Sequence, residues 1–217
     1  YEIRPRDWSS DVCSSDLLTV ADGAAPVVLI ERIEVETFDQ LFLSQDTART
    51  LVLSSCSGIR AAFPGKGDLF LEDVHAARTL AFTNKNVWAR QLCIDHEGPK
   101  IINSGGNFWA FGLTTERGGT VVRTTDKGRT EVIGGMVNSS GGWKDDPMFR
   151  IDDASASFTI SEASFSLAPF TTVVREKRGD QVKILSHEGL PGLAMPPHAG
   201  GVAVPLFTGY GSGGSGR

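Results

Sequence analysis

The chain has 217 residues, 40% of them hydrophobic, with 21 basic and 26 acidic side chains and a formal net charge of −5. That balance, with no block of Lys and Arg, excludes the electrostatic footprint of a nucleic-acid-binding protein. No apolar run approaches the ~18 residues that span a bilayer, and three cysteines are too few for a disulfide scaffold or a four-cysteine zinc site.

The first segment is read apart from the rest. Asp7 to Leu17, DWSSDVCSSDL, matches residue for residue the translation of a common short-read sequencing adapter. Tyr1-Glu2-Ile3 fits the adapter stem, and Arg4-Pro5-Arg6 fits an index barcode. Residues 1–17 are therefore expected to be an adapter-derived artefact on a metagenomic fragment whose true N-terminus is missing. Setting them aside removes four acidic and two basic residues, which leaves 22 acidic and 19 basic side chains and a net charge of −3. Cys13 goes with them, leaving Cys56 and Cys93. The remaining 200 residues suffice for one sizeable core.

From residue 18 onward, helical patterns are scarce. Glu34 to Ala48 has room for a turn or two of helix, but Gly, Pro and Asn interrupt most other stretches. Short β-rich runs recur instead: Val27–Ile30, Leu51–Leu53, Leu69–Leu71, Val87–Ala89, Phe108–Phe111, Glu131–Ile133 and Ser157–Ile160. Leu51 to Leu69 is 18 residues, Leu69 to Val87 is 18, Val87 to Phe108 is 21 and Phe108 to Thr130 is 22. A second family falls between them, at Thr79–Phe82, Lys100–Asn103, Thr120–Arg123 and Met148–Ile151. A repeat of about 20 residues made only of strands and turns suits a β-helix coil, which must stack on its neighbours to bury its apolar face.

The expected architecture is all-β: a right-handed parallel β-helix, or β-solenoid, with rungs over residues 18–167. A β-sandwich also yields short strands at close spacing and stands as the rival. Matched positions favour the coil. Val87-x-Ala89-x-x-Leu92 superposes on Phe108-x-Ala110-x-x-Leu113 at a shift of 21, Trp88 falls on Trp109, and Gly112 meets Gly134 one rung later. Asn103 to Asn107 forms a corner where positive φ is cheap for Gly and tolerable for Asn, with no phosphate-binding spacing. Thr171–Val174 and Gln181–Leu185 flank Lys177-Arg178-Gly179-Asp180 as a hairpin, so 168–190 is expected to cap the stack. The Gly- and Pro-rich residues 191–217 read as a flexible tail.

Three pieces carry a family resemblance: VWARQL, KIINSGGNFWAFGLTTE and GRTEVIGGM. In order, they resemble the C-terminal rungs of pectate-lyase-superfamily proteins, the parallel β-helix group that includes polygalacturonase-like enzymes. The likeness covers roughly Glu72 to Leu185. It implies a secreted or cell-surface protein whose partner is a polysaccharide; a lyase or glycoside hydrolase is the implied enzyme class. It implies calcium only by analogy and otherwise no cofactor. No family catalytic motif maps onto positions here, so any catalytic site is expected upstream or absent. The alternative is a non-catalytic surface or adhesion solenoid, and the chain is expected to be a monomer.

The residues themselves offer modest candidates. Glu72, Asp73 and His75 follow a strand, where they could serve acid–base chemistry or a cation, although such a cluster is more often a solvated turn. Asp95-His96-Glu97 is a similar trio one rung later, which need not meet the first. Glu116 and Glu131 are considered as a carboxyl pair, because glycoside hydrolysis uses two carboxyls roughly 5 to 9.5 Å apart. Trp109 and Trp143 could offer flat faces to sugar rings, although a strand tryptophan more often packs on a neighbouring rung. No Ser/His/Asp order is evident, and no metal ligands are singled out. Cys56 and Cys93 fall two rungs apart, about 9–10 Å, beyond the ~7 Å Cα limit for a disulfide, so both are expected to be free and buried thiols.

Overall fold

A computed structural model describes residues 16–35, 41–140, 146–166, 168–197 and 199–209. The described strands are β1 (Asp16–Val20), β2 (Val27–Glu31), β3 (Leu41–Gln45), β4 (Thr50–Ala62), β5 (Leu69–Ala76) and β6 (Leu80–Thr83). Long and short strands then alternate: β7 (Asn86–Asp95), β8 (Ile101–Ser104), β9 (Asn107–Glu116), β10 (Val122–Thr125), β11 (Arg129–Asn138), β12 (Phe149–Asp152), β13 (Ser155–Ser164) and β14 (Thr172–Arg178). β15 (Gln181–Ser186) and β16 (Gly200–Gly209) complete the set.

Every long strand pairs in parallel with the next. The first sheet runs β4-β5-β7-β9-β11-β13, with β2 beside the first half of β4, and the second runs β6-β8-β10-β12-β14. The chain is thus a right-handed parallel β-solenoid of about 7 turns. The residue spacing has its cause in this register. Leu51, Leu69, Val87, Phe108 and Thr130 lie side by side on successive rungs, as do Leu80, Ile101, Val122, Phe149 and Val174 in the second sheet. The β-sandwich alternative fails here, because sandwich strands pair antiparallel.

The core is a set of columns. Leu69, Val87 and Phe108 fill one, and Val74, Leu92 and Leu113 another, all essentially without solvent exposure. Each fully buried Leu or Phe contributes roughly 1.5–3 kcal/mol of transfer free energy. Phenylalanines run through the interior as stacked or tilted neighbours, Phe63–Phe82–Phe108 at one end and Phe149–Phe158–Phe207 at the other.

Between the two inward columns each long strand bends. The bend residues Ser55, Asp73, Gln91, Gly112 and Gly134 all have φ between 50° and 77°, the left-handed region. They line up rung on rung, so one repeated local conformation turns the sheet and gives it two outer faces. Gly106 meets the other requirement for glycine, close approach: a Cβ there would lie 2.3 Å from the Lys85 carbonyl.

Two lysines end inside the coil. Lys85 Nζ donates to Gln45 Oε1 at 2.8 Å and to the Gly67 carbonyl at 2.6 Å, and Lys100 Nζ donates to the Gly118 carbonyl at 2.7 Å. Burial pulls both ammonium groups down to about 8.

The last strands close the stack. β15 folds back antiparallel on β14, the hairpin read from the sequence. The residues expected to be a flexible tail contain instead β16, antiparallel to β13. Val202 and Val204 alternate inward to 2% exposure and cover an otherwise unpaired edge. Pro205 and Leu206 fall where the register shifts between Phe158 and Ile160, the kind of break at which a strand tolerates Pro. The helical turn expected within Glu34 to Ala48 is also corrected. Residues 36–40 lie outside the described set, and Leu41–Gln45 is strand, with Leu43 buried at 1%. β1 includes Asp16 and Leu17, so the segment read as adapter-derived contributes two residues to a strand paired with β3. No helix among the described residues is long and apolar enough to cross a membrane.

Candidate functional site

The bend divides the outer surface into two columns of different character. Ahead of it, Phe70, Trp88 and Trp109 occupy one register. Their rings stack along the solenoid axis, Phe70 on Trp88 at 4.6 Å and 13°, Trp88 on Trp109 at 5.2 Å and 11°. Trp88 therefore has a ring on each side. Trp109 ends the stack among the described residues, and Glu131 takes the next position.

There an open groove of about 720 Å³ is lined by Trp109, Glu131, Asn107, Arg129, Ser157, Leu206 and Thr208. Asn107 is held in place, donating to Asn86 Oδ1 at 2.8 Å while Asn86 donates to Asp68 Oδ1 at 3.1 Å.

Beyond the bend, the outward column reads Ser57, His75, Cys93 and Thr114. Asp95 is two residues past Cys93 on the same face and leans back toward the preceding rung. His75 Nε2 lies 3.4 Å from Asp95 Oδ2, and Ser57 Oγ lies 3.3 Å from His75 Nδ1. The Cys93 sulfur is 3.7 Å from both carboxylate oxygens of Asp95. The Glu116 backbone N–H donates to Asp95 Oδ1 at 3.1 Å. The His75–Asp95 approach is one of distance, not direction: Nε2 has no solvent exposure and makes no well-aligned hydrogen bond. Burial and the neighbouring carboxylates Asp95 and Glu116 push the Cys93 thiol up to about 12.

These placements revise several sequence expectations. The two trios do meet, through His75 and Asp95, because parallel register brings Cys93 beside His75 and a strand repeats its face every second residue. Glu72 pairs with Arg90 on the next rung, and Asp73 is the exposed bend residue, so neither joins His75 in a site. His96 turns away to 8% exposure against Thr79, and burial lowers its pKa.

Glu116 and Glu131 are not a carboxyl pair. Glu116 is in register with Asn138, seven residues beyond Glu131, which puts the two carboxyl-bearing positions roughly 20 Å apart along the strand. Trp143 lies outside the described residues. Cys56 and Cys93 are free, as expected, but Cys93 is half-buried and only Cys56 fully buried.

Ser57 was not singled out from the sequence. A polar residue every 18 positions, at Ser57, His75 and Cys93, was the available signal, hidden by the different chemistry of each. No family model, no curated protein and no solved structure matches the chain.

Proposed function

We propose that this β-solenoid binds polysaccharide on its outer face, with the Trp109 groove as the contact site. The observation that carries the reading is the end of the aromatic stack. Trp109 walls an open groove that Leu206 also lines and into which the hydrogen-bonding side chains Glu131, Arg129, Asn107, Ser157 and Thr208 are gathered. A sugar ring offers C–H surface to an aromatic face and hydroxyls to such donors and acceptors. The solenoid adds a rigid surface along which a polymer can lie. The resemblance to pectate-lyase-superfamily rungs agrees with this reading and adds a pectin-type polymer and an extracellular or cell-surface location.

Affinity electrophoresis through gels containing pectin-type polymer tests the reading. Retardation by the polymer is expected, and Trp109→Ala should abolish most of it while Trp88→Ala retains it if the fold survives. Migration unaffected by polymer, or retardation insensitive to Trp109→Ala, overturns the proposal.

A further inference from the structure

We propose that His75, Cys93 and Asp95 form a binding site for a divalent cation of the zinc class, outside the carbohydrate groove and independent of it. Each offers one ligand atom, and the three atoms lie within 4.8 Å of one another. The two edges that Asp95 makes match those of a coordination polyhedron. Zinc bound tetrahedrally at ~2.0–2.1 Å to N and O and ~2.3 Å to S sets N···O edges near ~3.3 Å and S···O edges near ~3.6 Å. The observed 3.4 Å from His75 Nε2 to Asp95 Oδ2 and 3.7 Å from Cys93 to Asp95 are close to these. A hydrogen-bonded pair of the same groups would sit nearer ~2.8 Å and be aligned. The His75 Nε2 atom is not aligned in that way, and it is buried without a hydrogen bond.

The surrounding groups orient the set. Ser57 Oγ lies 3.3 Å from His75 Nδ1, and in the tautomer with the proton on Nδ1 it accepts there and leaves Nε2 free to bind a cation. The Glu116 N–H engages Asp95 Oδ1, which frees Oδ2. A neutral imidazole, a thiolate and a carboxylate balance the charge of one divalent ion, the thiol proton passing to solvent as the metal–sulfur bond forms. Sulfur and nitrogen ligands select zinc-like ions over calcium. Three protein ligands on an outer face leave a fourth position for water.

The test uses the full chain carrying Cys13→Ser and Cys56→Ser, so that Cys93 is the only thiol. Calorimetric titration with zinc should show one equivalent bound, and cobalt should give a thiolate-to-metal charge-transfer band. Cys93→Ser and His75→Ala should each weaken zinc binding on the order of a hundredfold, and Ser57→Ala about tenfold, with unchanged circular dichroism in the absence of metal. Calcium in excess should not compete. No zinc uptake, or uptake that His75→Ala leaves unchanged, overturns the proposal. Polymer binding at the Trp109 groove should be the same with and without zinc, so failure here and failure there are separate results.

Discussion

The two outer columns, ahead of the bend and beyond it, differ in how the repeat is used. In the first, similar side chains occupy successive rungs, and Phe70, Trp88 and Trp109 satisfy one another by stacking. In the second, Ser57, His75 and Cys93 follow one another with no two alike, and the neighbouring Asp95 is drawn in. A parallel solenoid places every residue about 4.8 Å from its equivalent on the next rung. Repetition of type then gives cohesion, and change of type gives a cluster of mixed chemistry. The same backbone geometry stacks like rings on one side and gathers unlike polar groups on the other.

That contrast can be broken by substitution. The largest loss belongs to the interior beneath both columns. Phe108→Ala removes a side chain at 1% exposure that stacks on Phe82, and should cost about 3–5 kcal/mol in urea unfolding. Trp88→Ala breaks two ring contacts on the surface and should cost about 1–3 kcal/mol. His75→Ala, in the column of mixed chemistry, should change metal-free stability by no more than about 0.5 kcal/mol. Equal losses at Trp88 and His75 would erase the distinction drawn between the columns.

A smaller effect tests the closed end of the stack. Glu162 is fully buried on β13, with Oε1 accepting from Ser139 and from the Phe170 N–H and Oε2 unpaired. Burial raises its pKa, so the folded chain holds this proton more tightly than the unfolded chain does. Stability from this group is therefore present at low pH and lost as pH rises above the ordinary value of 4.5 through the raised one. Glu162→Gln should raise the thermal midpoint at pH 7 by about 2–4 °C, and the gain should vanish below pH 4.5. A gain that is constant with pH would show that Glu162 is not held protonated by burial.

Much of the fold was legible because the hydrophobic columns repeat in residue type as well as spacing. Leu69, Val87 and Phe108 recur at near-constant intervals, and Ala89 and Ala110 match in register. β16 was not legible, because Gly200, Gly201 and Pro205 dominate its composition while only Val202 and Val204 carry the alternation. The mixed site was hidden for a different reason. Its members come from three rungs and depend on the left-handed bend at Ser55, Asp73 and Gln91, a backbone state that non-Gly residues rarely adopt. The Glu116–Glu131 expectation failed because counting rungs ignores position along the strand. Trp109 lines the groove with Glu131 beside it in register, a juxtaposition that residue spacing alone did not display.

Parallel register between successive long strands creates both the solenoid and its columns, and spin labels read that register most directly. Arg90, Phe111 and Ile133 are exposed register partners on three consecutive rungs. In a cysteine-free background, nitroxides at 90 and 111 should lie about 5 Å apart at the backbone and show strong spin–spin broadening, while labels at 90 and 133, about 10 Å apart, show clearly less. Broadening that is absent for the first pair, or no stronger than for the second, would contradict the solenoid and the columns built on it.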